Sequence, residues 1–563
     1  MAGTLAAKRP SLLGVTYEHP LAFWVGVVAV IAGTLMMLPM YFHAGSMDYH
    51  LHDMPIDWAM AVGMLLLLGG VVLTAYGLFP PFRSVTRSAS RTSLRPLDDA
   101  KLSWAHLGLV LVMAAAVTID VMKPTTLAFV APGAASEYGL RSPLNPGAEA
   151  LPIALYPLAG ISGTVVGSFV WGWLGDRAGR RASILIAAVM FIGTSTCGVM
   201  PQYWMNLVTC FLMGLGVGGM LPIIFSLVSE TVPARHRGWI IVLIGGDVAG
   251  AYIVMSWLAS TIGSPERYGW RSLWLVGIPT SVLLVLLNRW IPESPRYLVE
   301  HGRDDEARAV MARYGATAIE VVGVDEDADT VEVAPDVDHG RYGELFHSPL
   351  TGQTMVLVLL ALGIGVVQYG FQQWIPSNLQ TLGFDEVNAS QMLRDSALIG
   401  FPLNFPIAFL YGLWSSRKTI MLMASLTGIS LVGFAAAGDA IADHRLMLYV
   451  LLVTPIWGIS SLTAVTVAYA SEIYPTHIRA RGTGLAAAGM KIGGVLILIA
   501  VAASFAAPSI SVTALLGALP LVGAVAALAL FGIETRTKTL EQITVEEFAV
   551  LDLSDIEAER DSA

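Results

Sequence analysis

The chain has 563 residues, of which 55% are hydrophobic and only 13% are charged, well below the charged fraction of a soluble globular domain. Apolar stretches of membrane-spanning length recur along it, which excludes an ordinary soluble enzyme or binding domain. Backbone groups in lipid must be satisfied internally, so these stretches predict helices rather than strands. The formal net charge of −10 says little, because it is dominated by soluble segments. We predict an all-α integral membrane protein with about fourteen transmembrane helices.

Hydropathy divides the chain into five segments. Residues 1–103 hold two spans and a basic linker, and 104–292 hold a six-helix half. Residues 293–350 form a central loop, 351–534 a second six-helix half, and 535–563 an acidic tail. Arginines and lysines cluster in the linker, the central loop and the tail, so the positive-inside rule places both termini and the central loop in the cytoplasm. Both cysteines, Cys197 and Cys210, fall in predicted helices and indicate neither a disulfide framework nor thiol chemistry.

The loop between the first two spans is rich in possible metal ligands. Residues 43–54 read HAGSMDYHLHDM and include His43, His50 and His52. Histidine, aspartate and methionine can bind zinc or copper, but this spacing fits no defined site, and interfacial loops often carry such residues without a metal. We therefore predict no metal or cofactor, and expect the helix pair to pack against the remaining helices as an accessory element or to form an oligomer contact.

Three acidic or basic side chains fall inside the first half, where charge is costly and indicates function. Asp120 and Lys123 lie three residues apart on one helical face, followed by Pro124. Burial and a nearby cation shift a carboxyl pKa in opposite directions, which is suited to a proton switch. The alternative is a structural ion pair. Asp247 is a second buried acid, either a cation or proton group or a polar residue at a glycine kink.

Amide side chains follow one stripe in the first helix of the second half. The stripe holds Gln368, Gln372, Gln373, Trp374 and Asn378, whose amides and indole suit hydroxyls or carboxylates. The alternative is that the amides only join neighbouring helices.

A further amide, Asn404, lies in the next helix, which is rich in phenylalanine and proline. We add it to the predicted substrate site.

One sequence pattern occurs twice. Glu-x-x-Pro-x-x-x-Arg runs from Glu230 to Arg237 and again from Glu472 to Arg479, each time at the end of an apolar stretch. A repeat at half-protein spacing in an apolar chain is typical of transporter folds built by duplication.

Further motifs carry a family resemblance. Residues 172–181 read GWLGDRAGRR, which resembles the signature of the major facilitator superfamily between the second and third core helices. Residues 292–298 (PESPRYL) and 534–541 (ETRTKTLE) resemble the sugar-porter and organic-ion branches. The resemblance covers roughly 104–545 and implies two six-helix halves preceded by two extra helices.

The resemblance also implies roles for the charged residues at the cytoplasmic helix ends. They would form a charge network that latches the outward-facing state and breaks when the cytoplasmic side opens; the alternative is that they only set topology. The predicted network consists of Gly175, Asp176, Arg177, Gly179, Arg180, Arg181, Glu230, Arg237, Glu293, Arg296, Glu472, Arg479 and Arg481.

Sugar porters place a proton-coupling aspartate where Asp120 lies, and a glutamine pair similar to Gln372-Gln373. The family's arginine partner is replaced here by Cys210. Either Lys123 substitutes for that arginine, or the coupling differs from that of the family. The family's Gln-x-x-Ser-Gly-x-Asn sequence is absent, which puts a sugar substrate in doubt.

The sequence therefore predicts a secondary active transporter in the cytoplasmic (inner) membrane. It would move a small polar or anionic solute by alternating access and proton symport, with its site at the midplane between halves. The predicted partners are a small-molecule substrate, protons and the lipid bilayer, and no nucleic acid. An efflux carrier or uniporter of the same fold is the alternative, and a membrane sensor or metal-handling protein is a more distant one. An enzyme is not predicted, because the core shows no nucleophile–base pair or phosphate loop.

Overall fold

The computed structural model describes residues 11–12, 15–16, 19–52, 54–78, 92–93, 97, 100–301, 303–316, 319–320, 342–348, 350–474, 478–503 and 509–535. Most of the basic linker, the acidic part of the central loop and the tail beyond residue 535 lie outside these residues. Fourteen helices within the described part are long and apolar enough to cross a membrane. The predicted all-α membrane fold with about fourteen spans is therefore confirmed.

The first eight spans are built from eleven helices, because several spans are interrupted. Three short 3-10 turns, Ala44–Met47, Ser195–Val199 and Asn288–Trp290, close individual helices. The helices are α1 (Pro20–His43), α2 (Trp58–Leu78), α3 (Trp104–Glu137), α4 (Leu155–Ala178), α5 (Arg180–Thr194), α6 (Tyr203–Val217), α7 (Met220–Thr231), α8 (Ala234–Gly246), α9 (Val248–Thr261), α10 (Ser272–Leu275) and α11 (Gly277–Leu287).

The central loop contributes two short helices and the remaining spans contribute eight. A π-helical turn, Val367–Phe371, interrupts the ninth span, and another, Leu410–Trp414, ends the tenth. The helices are α12 (Pro295–Glu300), α13 (Asp304–Arg313), α14 (Thr351–Val366), α15 (Ile375–Thr381), α16 (Glu386–Gly400), α17 (Asn404–Phe409), α18 (Ser416–Ala437), α19 (Arg445–Ile473), α20 (Arg479–Ala503) and α21 (Ile510–Phe531). Further 3-10 turns are Tyr342–Phe346, Gln372–Trp374, Phe401–Leu403 and Gly438–Asp443.

Extended structure in the described residues consists of two small antiparallel ladders and an isolated bridge between Ser142 and Asn145. β1 (Ser11–Leu12) pairs with β2 (Val15–Thr16). β3 (Thr92–Ser93) pairs with β4 (Ile319–Glu320), with Thr92 opposite Glu320, so the basic linker and the central loop meet at one point.

Two compact units are formed. The first comprises residues 1–140, 149–237 and 257–323, and the second comprises 141–148, 238–256 and 324–563. In the first unit α5 is enclosed on all sides, which follows from a helix that is apolar around its whole circumference. Helices α4 and α6 lie in backbone contact, since a Cβ atom at Gly214 would be 1.9 Å from the Gly160 carbonyl oxygen.

The additional helix pair is packed into the first unit. Val30 of α1 contacts Val189 and Ile192 of α5. Nearer its end, α1 and the following turn join a larger apolar cluster with the loop between α5 and α6, formed by Met37, Met40, Tyr41, Ala44, Leu51, Met60, Val199, Met200 and Met205. The additional helix pair therefore packs against other helices of the same chain, which is the first of the two arrangements expected from the sequence.

The second unit repeats the close helix approach of the first. A Cβ atom at Gly365 of α14 would lie 1.9 Å from the Met490 carbonyl oxygen of α20. Helix α18 packs against both α19 and α21. Between α14 and α15 the backbone passes through the π-turn and then a 3-10 turn, and this interruption carries most of the predicted amide stripe.

Candidate functional site

Glu293 caps the first turn of α5. Its Oε1 accepts the backbone N–H groups of Arg180 at 2.8 Å, Arg181 at 3.3 Å and Ser294 at 3.0 Å. A carboxylate at a helix N-terminus satisfies orphan N–H groups and opposes the positive end of the helix dipole. Gly179, with φ +93°, precedes the helix, and a Cβ atom there would lie 2.4 Å from Glu293 Oε2. Burial raises the pKa of Glu293 above its usual range, although the three N–H groups act in the opposite direction.

Glu230 joins this cap to α7. It accepts a hydrogen bond from Ser226 Oγ at 3.1 Å and one from the Ser294 hydroxyl. Arg180 Nη2 lies 3.4 Å from Glu230 Oε1, with both side chains about one-seventh exposed. Arg180 also donates through Nη1 to the Gly175 carbonyl oxygen at 2.9 Å. The signature, the first Glu-x-x-Pro box and the PESPR stretch therefore meet at one helix end.

The second unit contains an equivalent cap at α18. Glu534 accepts the Ser416 N–H at 3.0 Å and the Ser416 hydroxyl at 2.7 Å, together with the Ser415 hydroxyl. Glu534 follows the last span as Glu293 follows the sixth core span. The Glu534 stretch enters the sequence-based predictions only through its family resemblance, and this capping role is not among them. The sequence feature that indicates this role is the matching position of Glu534 and Glu293, each just after the last span of its half.

Glu472 occupies the position that Glu230 holds in the first unit. Its Oε2 accepts Tyr411 Oη at 2.8 Å and Thr535 Oγ1 at 2.6 Å. Thr535 follows Glu534 as Ser294 follows Glu293, and both hydroxyls donate to the glutamate of the repeated box. Burial raises the pKa of Glu472, and its two hydroxyl donors lower it.

The remaining members of the predicted network differ from one another in their burial and in the contacts they make. The side chains of Asp176 and Arg479 lie outside the described structure. Arg177 accepts the Tyr297 hydroxyl at its carbonyl oxygen at 3.0 Å, and Arg237 donates to the Val232 carbonyl oxygen at 3.3 Å. Arg296 is exposed, Arg181 is buried and Arg481 is half-buried.

Asp120 and Lys123 are both buried in α3, within the first unit. Lys123 Nζ donates to Ser195 Oγ at 3.0 Å and to the Phe191 carbonyl oxygen at 3.3 Å, so its ammonium is held by the end of α5. A Cβ atom at Gly277 would lie 2.1 Å from Nζ and 2.2 Å from Ser195 Oγ, so the absence of a side chain at Gly277 leaves room for this contact. Asp120, one turn earlier, has 0% exposure.

Asp247 and Asn404 are near each other in the second unit. Asp247 is half-buried at the interruption between α8 and α9, where its carbonyl oxygen accepts the Gly250 N–H at 2.8 Å. Asn404 Nδ2 donates to the Gly246 carbonyl oxygen at 3.3 Å, and Asn404 Oδ1 accepts Ser461 Oγ at 2.8 Å. Asn404 therefore bridges the end of α8 to α19.

Several N–H groups of the amide stripe have no partner in the part of the chain that the structure describes. Gln373 Nε2, Trp374 Nε1 and Asn378 Nδ2 are buried without a hydrogen-bond partner among the described residues, and the same is true of Trp457 Nε1 on α19. Gln372 is buried and Gln368 is half-buried. α15 packs against α16. Trp457 lies close to α16, because a Cβ atom placed at Gly400 of α16 would be 2.8 Å from the Cβ atom of Trp457.

Comparison with known proteins assigns the chain to a family. Residues 149–546 match the family described as sugar (and other) transporter, and residues 21–236 match MFS/sugar transport protein. The chain belongs to the sugar (and other) transporter family. The resemblance to the major facilitator superfamily and its sugar-porter branch is thus confirmed, and the chain is a multi-pass membrane transporter.

Proteins similar to this chain include the niacin transporter NiaP of Acinetobacter baylyi, which is 28% identical over 68% of this chain and 86% of its own length. The 4-hydroxybenzoate transporter PcaK of the same species is 27% identical over 53% of this chain and 64% of its own length. The proton:xylose symporter XylE shares the fold, with a TM-score of 0.59, 19% identity and coverage of 79% of this chain and 99% of XylE.

Sequence reasoning missed a buried ion pair in this family member. Arg271 Nη2 and Nε lie 2.7 and 3.0 Å from the two oxygens of Glu137. Trp270 Nε1 donates to the same carboxylate at 3.0 Å, as do the backbone N–H groups of Leu51 at 2.7 Å and His52 at 3.0 Å. The loop of the additional helix pair is therefore fixed directly to α3. No local signal joins Glu137 to a residue 134 positions later.

Two of the three histidines in residues 43–54, His50 and His52, lie close to side chains at the end of α3. His50 Nδ1 lies 3.9 Å from Glu137 Oε2, and the His52 ring packs edge-on against Tyr138 at 5.3 Å. His43 ends α1. Within the described residues, no group of three or more His, Cys, Asp or Glu side chains is placed to hold a metal ion.

Proposed function

We propose that the protein is a proton-coupled symporter of a small organic acid, with uptake as the direction of transport. The alternating-access cycle of the family would couple inward movement of the carboxylate to proton entry. Substrate recognition is assigned to the amide stripe, and proton coupling to Asp120 with Lys123 beside it. Asp247 is proposed as a secondary charged group at the interruption between α8 and α9.

The observation that carries the substrate class is the set of unpartnered N–H groups. Gln373, Trp374, Asn378 and Trp457 each present a buried nitrogen donor with no partner among the described residues. A buried donor left unpaired is unfavourable by about 1–3 kcal/mol, so several together favour a ligand rich in acceptors. A carboxylate offers about four acceptor positions and no donor, whereas a sugar hydroxyl both donates and accepts.

Relatives support the same class. NiaP is named for niacin and PcaK for 4-hydroxybenzoate, both aromatic carboxylic acids. Two indoles at the proposed site, Trp374 and Trp457, are suited to stacking on an aromatic ring. We therefore favour an aromatic monocarboxylate over a sugar.

The substrate proposal is tested by uptake into proteoliposomes of labelled niacin, 4-hydroxybenzoate and xylose. Trp374→Phe keeps the ring but deletes the N–H donor, and it should raise KM for the carboxylate. Hydrogen bonds to charged groups contribute about 1.5–3 kcal/mol, which is roughly 10–150-fold in affinity. Trp414→Phe, at a half-exposed indole, is the matched control and should leave KM unchanged. Saturable xylose uptake without carboxylate uptake would contradict the proposal.

Proton coupling is tested separately, through Asp120→Asn. This variant should lose accumulation driven by a pH gradient while retaining exchange of substrate across the membrane at equal pH, because only the coupling group is neutralised. Full accumulation by the variant would overturn the role of Asp120. Exchange without any gradient-driven accumulation in the wild type would indicate a uniporter.

The two caps are proposed to lie on the cytoplasmic side, with both termini, and to latch the outward-facing state. In support, the charged boxes sit at helix ends near the basic segments of the chain. Glu230→Gln would weaken the bond to Arg180 and shift the equilibrium toward the inward-facing state. Cysteine accessibility from the two sides of oriented membranes measures both the topology and this shift.

A further inference from the structure

The two cysteines of the chain lie side by side, although the sequence separates them by 13 positions. Cys197 Sγ and Cys210 Sγ are 3.9 Å apart, and both residues have 0% exposure. Cys197 belongs to the Ser195–Val199 turn that ends α5, and Cys210 lies in the middle of α6. They are the only cysteines among 563 residues, so every thiol reaction of this protein is theirs.

The geometry allows a covalent bond with small movements. A disulfide requires the sulfurs to approach to about 2.05 Å. Rotation about one Cα–Cβ bond to another staggered rotamer moves a sulfur by more than the remaining gap. The 3-10 turn that carries Cys197 has weaker backbone hydrogen bonding than an α-helix, so it can adjust to the change.

The position of the turn gives such a bond a structural effect. Ser195, two residues before Cys197, accepts the Lys123 ammonium. Gly198, the next residue, offers its carbonyl oxygen to Arg271 at 3.3 Å. The turn therefore connects two buried cations of the first unit, and a bond from Cys197 to α6 would fix it in place.

We propose that Cys197 and Cys210 form a redox-active dithiol that a small disulfide oxidant converts to an intramolecular disulfide. One thiol, as thiolate, attacks the oxidant to give a mixed disulfide and one released thiol. The second protein thiol then displaces the oxidant's other half. The balance is two protein thiols and one small disulfide giving one protein disulfide and two small thiols, with both electrons passing to the oxidant.

The test uses the full-length protein in lipid nanodiscs, incubated with dipyridyl disulfide and examined by intact mass and by thermal unfolding. The wild type should lose 2 Da with no attached reagent. Cys197→Ser and Cys210→Ser should each retain one thiopyridyl group, because no second thiol can displace it. Closing this loop should raise the melting temperature of the oxidised wild type by about 2–5 °C, and dithiothreitol should reverse both changes.

Three results would overturn the proposal. Two thiopyridyl groups on the wild type would show that the thiols react independently. An unmodified wild type under conditions that label both single variants would show that the pair is not oxidised. No reaction in any of the three proteins would show that the oxidant cannot reach the site. If a serine variant does not fold, the corresponding Cys→Ala variant replaces it in the same comparison.

Discussion

Removing the carboxylate of Glu137 should destabilise the first unit more than any exposed charge change. Arg271 has 0% side-chain exposure and Glu137 has 2%, so Glu137→Gln leaves a guanidinium in the interior without its counter-charge. Breaking a buried pair by removing one partner typically lowers the unfolding free energy by about 3–5 kcal/mol. The backbone N–H groups of Leu51 and His52 lose part of their acceptor as well. We expect a loss in the upper half of that range.

A double-mutant cycle tests the reasoning. Arg271→Met, combined with Glu137→Leu, replaces the pair with apolar side chains of similar volume, which is often neutral or stabilising relative to the intact pair. The double variant should therefore be more stable than either single variant, with a coupling energy of about 2 kcal/mol or more. Arg308→Met, in an exposed ion pair with Asp305, is the control and should change stability by less than about 0.5 kcal/mol.

The assays are thermal and denaturant unfolding in detergent, together with amide hydrogen exchange. Exchange at Leu51 and His52 should accelerate in Glu137→Gln more than exchange in α18 of the second unit, because their acceptor is altered directly. A loss below about 1 kcal/mol would refute the account, since the pair would then contribute no more than an exposed one. A double variant as unstable as the sum of the single losses would refute it as well.

Three further predictions concern the caps and the additional helices. Gly179→Ala should lower the melting temperature by several degrees, because the new methyl group would lie 2.4 Å from Glu293 and the backbone there has a positive φ. The control Gly172→Ala should leave the melting temperature unchanged, because a methyl group at that position meets nothing within 4 Å. Glu472→Gln should change the pH dependence of melting. Because burial raises the pKa of Glu472, its protonated side chain stabilises the folded state fully below about pH 4.3, and this stabilisation is lost as pH rises through the folded-state pKa. The melting temperature of Glu472→Gln should therefore rise relative to that of the wild type between about pH 4 and 7. Deleting residues 1–79 should lower both expression and melting temperature by uncovering apolar surface on the first unit; unchanged melting and transport would show the pair to be an accessory.

Composition and motif spacing predicted the membrane class, the number of spans and the superfamily. These properties are local, because a span is read from about twenty consecutive residues. The structure also brings Arg180, Glu230 and Glu293 together at one helix end. Their motifs were recognisable because each lies at a helix end next to an apolar run.

Long-range pairings were not predictable in the same way. Glu137 ends a span, where an isolated acid is indistinguishable from an ordinary interfacial charge, and its partner Arg271 is 134 residues away. The proximity of Cys197 to Cys210 depends on how the α5 turn packs against α6. Two cysteines in separate predicted helices gave no hint of it. Tertiary packing decides these contacts, and a single sequence does not record it.

The two halves agree at their caps and differ in their interiors, and this contrast separates mechanism from specificity. Glu293 with Ser294 and Glu534 with Thr535 make the same pair of contacts, to a helix N-terminus and to a box glutamate. A structure retained in both copies is expected where each half performs the same movement. The interiors differ in their polar groups: the first unit carries a buried carboxyl and ammonium in α3 and one indole N–H, that of Trp274, without a partner among the described residues. The second unit carries four such N–H donors, on Gln373, Trp374, Asn378 and Trp457. A proton and an anion require opposite environments, because the first is held by an acceptor and the second by donors. Divergence of the two interiors is therefore what a symporter of a proton with an organic anion would require, while a uniporter of a neutral solute would gain nothing from it.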